Sequence, residues 1–189
     1  MAFNTQPVLE TDTVILYPLR SEDFEALYQT AADPKIWEQH PNKDRWRKEV
    51  FKTFFDGAMA SKGAFKIVDK NTNDIIGSTR FYDYDATNNN IFIGYTFYAT
   101  AYWGKGINKN VKKIMLAYAF EEVQEVLFHI GAQNLRSQIA IERIGAKKIG
   151  EEVVAYFGEP TRQNFVYSIT KDDWINFNTN ANGNFSQPA

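Results

Sequence analysis

Two glycines one residue apart, at the junction of a β-like run and a helical one, constrain this chain more than any other feature. Residues Ile91 to Tyr98 read as a strand and a helical run begins at about Lys109. The segment Thr100-Ala101-Tyr102-Trp103-Gly104-Lys105-Gly106-Ile107-Asn108 joins them. Gly104 and Gly106 let the backbone turn tightly and come close to a ligand. The first amides of a helix have no intrahelical partners, so they can bind an anion. Lys105, Lys109, Lys112 and Lys113 crowd the same helix end, where each cation costs about 0.3–1 kcal/mol against the helix dipole. A bound polyphosphate would turn that penalty into attraction; a surface turn with solvated lysines is the alternative. A Walker loop is excluded, because its longer glycine spacing ending in Lys-Ser/Thr is absent. A dinucleotide fingerprint would need a third glycine where Lys109 stands.

Composition narrows the function classes. A chain of 189 residues is expected to form one domain with a real core. A net charge of -2 supplies no basic field for nucleic acid. With no cysteine there is no disulfide, thiol nucleophile or thiolate metal site. The two histidines, His40 and His129, do not make a His-rich metal site, so no metal is expected. No apolar run approaches the roughly 20 residues of a membrane span. The N-terminus lacks a basic-then-apolar leader, which makes a cytoplasmic protein the expectation.

Hydrophobic periodicity reads as mixed α/β. Thr13 to Leu19 is a short strand. Ser21 reads as an N-cap followed by Glu22 and Asp23, and Pro34 closes that helical region. Asn42 opens a second helix, with Trp46, Val50 and Phe54 on one face. Ala64 to Val68, Ile75 to Tyr84 and Ile91 to Tyr98 are joined by polar turns, which predicts an antiparallel meander. After the glycine loop comes a helix with Val111, Ile114, Met115 and Tyr118 at helical spacing. Val126 to Ile130 is then a strand, and Ser137 to Ile144 a short helix closed by Gly145. Lys147 to Tyr156 and Asn164 to Ile169 are the last strands. Residues 1–174 are expected to be the domain. Residues 175–189, rich in Asn, are expected to be a loose tail.

The element order and three segments carry a resemblance. They are Ile93-Gly94-Tyr95 leading to Tyr102-Trp103-Gly104-Lys105-Gly106; Asn134-Leu135-Arg136-Ser137 with Ile144-Gly145-Ala146; and Thr13-Val14-Ile15-Leu16-Tyr17-Pro18-Leu19 with Ser21-Glu22-Asp23-Phe24. From about Val8 to Trp174 the chain resembles the GNAT acyltransferase superfamily, in the branch of the ribosomal-protein alanine N-acetyltransferases. The resemblance implies the GNAT α/β (α+β) fold, a mixed central sheet with an antiparallel meander, a glycine-loop helix and flanking helices. It implies acetyl-CoA as cofactor, held by Phe97, Tyr98, Trp103, Gly104, Lys105, Gly106, Ile107, Asn108, Asn134 and Ser137. It also implies direct acetyl transfer to an amine, either a peptide N-terminus or a small amine, by a monomer or homodimer. A non-catalytic acyl-CoA sensor is the rival reading. The sequence departs from the pattern in four places. Ala101 and Phe92 replace the usual Gln or Arg and the usual Glu, Asn108 and Lys109 replace the small-then-Thr pair that often follows the loop, and Ile141 stands where many members carry a catalytic Tyr.

Acyl transfer from a thioester needs a neutral amine, a polarised carbonyl and a proton for the departing thiolate. Ser137 matches the Ser of the family's Asn-x-x-Ser pattern and is the candidate beside the thiol; a plain first-turn serine is the alternative. Asn134 is a candidate contact for the pantetheine arm and equally a helix N-cap. By alternation His129 faces away from Phe128, so it can relay a proton if that face lines the cleft. His40, before Pro41, would border the acceptor groove as base or contact. A limb near pH 6.5 in the pH profile would then be its signature. Glu38, Arg80, Asp83 and Tyr95 are weaker acceptor candidates.

Overall fold

The computed structural model describes residues 3–183. The strands are β1 (Leu9–Glu10), β2 (Val14–Pro18), β3 (Ala64–Asp69), β4 (Ile75–Asp85), β5 (Asn90–Tyr98), β6 (Glu125–Gly131), β7 (Lys147–Val154) and β8 (Arg162–Thr170). The helices are α1 (Phe24–Ala31), α2 (Pro34–Trp37), α3 (Lys48–Ser61), α4 (Ile107–Glu122), α5 (Leu135–Glu142) and α6 (Lys171–Gly183). All eight strands form one sheet in the order β1-β2-β3-β4-β5-β6-β8-β7. Strands β1 to β5 pair antiparallel; short polar turns join β1 to β2, β3 to β4 and β4 to β5, while α1 to α3 lie between β2 and β3. The glycine-loop helix α4 then carries the chain back, so that β6 lies parallel to β5.

The β5–β6 junction shapes the molecule. Only Asn90, Ile91 and Phe92 pair with β6, opposite Glu125, Val126 and Leu127. Beyond them β5 continues to Tyr98 and β6 to Gly131 without pairing with each other, and the sheet opens into a wedge. A bulge accentuates this. Arg80 faces Gly94 and Ser78 faces Phe97, so Tyr95 and Thr96 together stand opposite Thr79. Tyr95 adopts φ +53°, a left-handed conformation that costs a non-glycine residue of order 1 kcal/mol or more. The Arg80 guanidinium, 3.8 Å from the centre of the Tyr95 ring, holds it there. Arg80 is itself fixed by donating to the carbonyls of Gly57 and Phe54.

One apolar cluster joins the sheet to α4 through Val111, Met115, Leu116 and Phe120. A second packs α1 to α3 on the sheet, centred on Trp37, Phe51, Phe54 and Phe97.

Several sequence expectations change. Ser21 caps no α-helix: it begins a 3-10 turn, and α1 starts at Phe24 after Asp23. Asp23 closes that turn by accepting from the Arg20 amide and pairs with Lys66 at 2.6 Å. Pro34 opens α2 rather than ending a helix, with Asp33 capping Lys35; proline suits a first helical position. Asn42 makes a turn by accepting from the Asp44 amide, and α3 begins only at Lys48. The expected loose tail from residue 175 is helical through Gly183 in α6. Thr170 caps it by accepting from the Asp173 amide, Lys147 pairs with Asp173 at 2.9 Å, and Trp174 is buried in the first cluster. Phe177 lies against Gly145. Capping and two aromatics three residues apart thus outweigh the Asn-rich composition. Residues 184–189 lie outside the described residues.

Candidate active site

The wedge holds a cavity of about 800 Å³. One wall is the free edge of β5 with the glycine loop and the start of α4. The opposite wall is β6 and α5. The stretch Ile36–Pro41 and Tyr156 close one end. The candidates Phe97, Tyr98, Trp103, Gly104, Gly106, Ile107, Asn108, Asn134, Ser137, His40 and His129 all line it.

The glycine loop is built as its sequence requires. Gly104 has φ +73° and Gly106 φ +76°, and no atom lies within 4 Å of where a Cβ would stand on either. Gly106 is the N-cap of α4 and offers no side chain, so the first helix amides stay free for a ligand. Lys105 and Lys109 flank them, exposed. Tyr98 is buried and donates from its hydroxyl to Asn108 Oδ1 at 3.3 Å. Trp103 Nε1 donates to the Tyr98 carbonyl at 3.0 Å. The Phe97 ring points away into the second core cluster, which leaves that residue's backbone at the cavity. Lys105 is not among the lining residues; it sits over the Tyr102 ring at 5.1 Å.

Across the wedge, Asn134 caps α5 by accepting from the Ser137 amide at 3.1 Å, so the capping alternative holds for its oxygen. Ser137 faces the cavity, and its hydroxyl makes no hydrogen bond to another described residue. Arg136 bridges the two walls. Its guanidinium lies 4.1 Å from the centre of the Trp103 ring, and its amide donates to Gln39 Oε1 at 3.1 Å.

At the far end Tyr82, Tyr95 and Tyr156 form an aromatic chamber. The ring centres are 5.0 Å apart for Tyr82 and Tyr95, and 5.7 Å for Tyr95 and Tyr156, both edge to face. His129 stacks on Phe92 at 4.3 Å. Its Nδ1 lies 3.3 Å from the Tyr82 hydroxyl and its Nε2 3.0 Å from Glu152 Oε2. Glu152 is exposed, so a hydrogen-bonded chain runs from the chamber to solvent. The alternation that turned His129 away from Phe128 is correct. Burial holds the Tyr82 hydroxyl well above the usual tyrosine range, and it raises Tyr156 to about 12. Both therefore stay protonated at neutral pH.

His40 is half-buried, edge-on to Trp37 at 4.9 Å. Burial, with the charges of Arg45 and Arg136, pushes its pKa down to about 3. It is neutral throughout the physiological range, and the expected limb near pH 6.5 does not come from it. Arg45 is 2% exposed and is clamped by Glu159 through two hydrogen bonds of 2.9 Å. Among the weaker candidates, Arg80 serves the bulge, whereas Glu38 and Asp83 do not line the cavity.

The cavity carries Arg45, Lys109, Lys112, Arg136 and Arg143, and no carboxylate is among its lining residues. Sequence reasoning undervalued Tyr82, Tyr156 and Glu152 and misread Lys112. The last is buried beneath α4, not solvated at its tip. Its helical spacing with Leu116 and Ala119, four and seven residues on, was the available signal.

An opened sheet with a bare glycine turn at one strand end gives the chain a recognisable family fold. Residues 13–147 match the family model "Acetyltransferase (GNAT) domain". The chain belongs to the GNAT acetyltransferase family. A GCN5-related N-acetyltransferase from Brucella melitensis shares the fold at TM-score 0.78 and 16% identity, over 94% of this chain and 85% of that one. RimJ of Mycobacterium smegmatis, solved with CoA-disulfide, matches at TM-score 0.66 and 16% identity, over 93% of each chain. Spermidine N-acetyltransferase from Vibrio cholerae, solved with CoA and spermine, matches at 0.66 and 14%, over 87% and 99%.

Proposed function

We propose that this protein is a cytoplasmic N-acetyltransferase that moves an acetyl group from acetyl-CoA directly to a primary amine. The observation that carries it is one continuous cavity joining the glycine cradle to the tyrosine chamber and its proton chain. Acetyl-CoA supplies the activated acetyl thioester. The chain's residues fit its handle. The bare Gly104 and Gly106, with the free amides of Ile107 to Lys109, suit a pyrophosphate, and Lys109 and Arg143 add positive charge. Asn134 Nδ2 and the Ser137 hydroxyl can hydrogen-bond an amide-bearing arm, and the unpaired β5 edge offers backbone groups to the same arm.

The tyrosine chamber receives the amine. Tyr82 accepts a proton from it and passes its own to His129 Nδ1. Nε2–H of His129 faces the Glu152 carboxylate, which fixes the tautomer and leaves Nδ1 as the proton-accepting nitrogen. Because Tyr82 does not ionise, it relays and His129 is the base. His40 serves as a neutral acceptor-side contact. A cavity free of carboxylates repels polycations, so the acceptor is an amine without further positive charge, such as a peptide N-terminus or a small neutral amine.

The test is CoA release from acetyl-CoA against a panel of amines, using the wild type and His129→Gln. The wild type should turn over neutral primary amines and discriminate against spermine. His129→Gln should lower kcat/KM for the amine about 10²-fold at pH 7, with acetyl-CoA affinity retained. Tight acetyl-CoA binding without turnover of any amine would make the protein a sensor.

A further inference from the structure

One charged group on the cavity wall is buried without a counter-ion and has no task in acetyl transfer as described. Lys112, in the second turn of α4, is 4% exposed and lines the cavity. Its Nζ donates to Thr96 Oγ1 at 2.6 Å and to Thr79 Oγ1 at 3.2 Å. These are the residues of the β4–β5 bulge, where the wedge opens. No neighbouring charge offsets its burial, which alone pulls its pKa down to about 7. The other titratable groups facing the cavity are Tyr82 of β4, Tyr95 and Tyr98 of β5, Tyr102 of the glycine loop, Lys109 of α4, His129 of β6 and Tyr156, with His40 and Arg45 at one end and Arg136 and Arg143 at α5. None can neutralise an ammonium.

The packing does not need this charge. The Thr79 and Thr96 hydroxyls bond each other at 2.8 Å and would keep a partner without it. A buried cation without a counter-ion opposes folding, and an unbranched apolar side chain would fill the same space. A lysine kept at that cost, on the wall of a reaction cavity, has a chemical use.

We propose that Lys112 is the proton donor to the sulfur that departs when the acetyl group is transferred. The proposal rests on the acetyl-transfer reading. The amine lone pair forms the C–N bond, and the C–S bond breaks with its electron pair on sulfur. A proton passes from Nζ to that sulfur and leaves a neutral lysine. The surplus proton of the acceptor leaves through Tyr82 and His129. Lys112 regains a proton from solvent once the products have gone. A thiol near pKa 8.5 and a donor near 7 are close enough for efficient transfer. Ser137 is the weaker donor, because its hydroxyl has no group behind it to replace a lost proton.

The test is Lys112→Met, which keeps the stem and removes the ammonium. Under conditions where chemistry limits turnover, kcat should fall tenfold or more while the Kd for acetyl-CoA stays within threefold. A second readout needs no turnover. Ultraviolet absorbance of the thiolate should show the thiol of bound CoA titrating differently on the wild type and on Lys112→Met, because an Nζ within reach of the sulfur titrates with it as a coupled pair. The Tm of the variant should equal or exceed that of the wild type. Wild-type kcat with an unchanged thiol titration overturns the proposal, and so does a clear fall in Tm, which would make Lys112 structural. If the Met variant fails to fold, Lys112→Gln takes the same measurements. If the wild type acetylates no amine, the functional reading fails, yet the thiol titration and Tm still decide the place of Lys112.

Discussion

Burial acts on Lys112 and His40 in the same direction, because each is a base whose charged form loses solvation in the cavity wall. The consequences fall in different pH windows. Folded Lys112 gives up its proton near pH 7, whereas the unfolded side chain keeps one to about 10.5. The unfolded state therefore binds more protons between those values, and stability rises with pH across that window. The stabilisation by Lys112→Met should be largest below pH 7. For His40 the window lies between about 3 and 6.5, and stability falls as pH drops through it. Urea melts should show His40→Gln losing less stability than the wild type between pH 7 and pH 4. The alkaline arm of the kinetic profile should be unaffected in that variant. At this scale the sequence was a partial guide. The residue types of a proton chain were visible in His129, but its partners Tyr82 and Glu152 come from β4 and β7, 47 and 23 residues away. No local pattern joins them.

Elements were more legible than their ends. The meander β3 to β5, the glycine-loop helix and the Gly145 stop follow from periodicity and turn chemistry, and the structure keeps them within a few residues. What escaped was geometry that depends on tertiary contact. The bulge at Tyr95 is supported by Arg80 across the ladder, and the sixth helix exists through Trp174 and Phe177. The glycine loop is the element whose role reads most directly from sequence. Gly106→Val would place a β-branched side chain at φ +76°, with the Cβ in space that is now open. Strain and obstruction both follow. Calorimetry on the folded variant should show acetyl-CoA affinity reduced tenfold or more, about 1.4 kcal/mol. Unchanged affinity would remove the loop from the site.

Across the whole molecule, the segment before α3 is tied to the β7–β8 connection by Arg45 and Glu159, whose side chains are 3% and 6% exposed. The guanidinium also lies 4.8 Å from the centre of the Phe54 ring and 5.6 Å from that of Tyr156. Arg45→Met should destabilise the protein by about 3–5 kcal/mol, because it strands a buried carboxylate. Adding Glu159→Leu should recover most of the loss, and chemical denaturation would measure both. Recovery absent in the double variant would mean that the pair contributes more than mutual neutralisation. The wedge has a further consequence. A strand edge with unused amides and carbonyls is a template on which other chains can assemble, and sheets usually blunt their edges against it. Here the two open edges, on β5 beyond Phe92 and on β6 beyond Leu127, are turned toward each other across a common cleft. The opening that admits a ligand also shields both edges from neighbouring molecules, so the protein gains its binding site without adding an outward surface for aggregation.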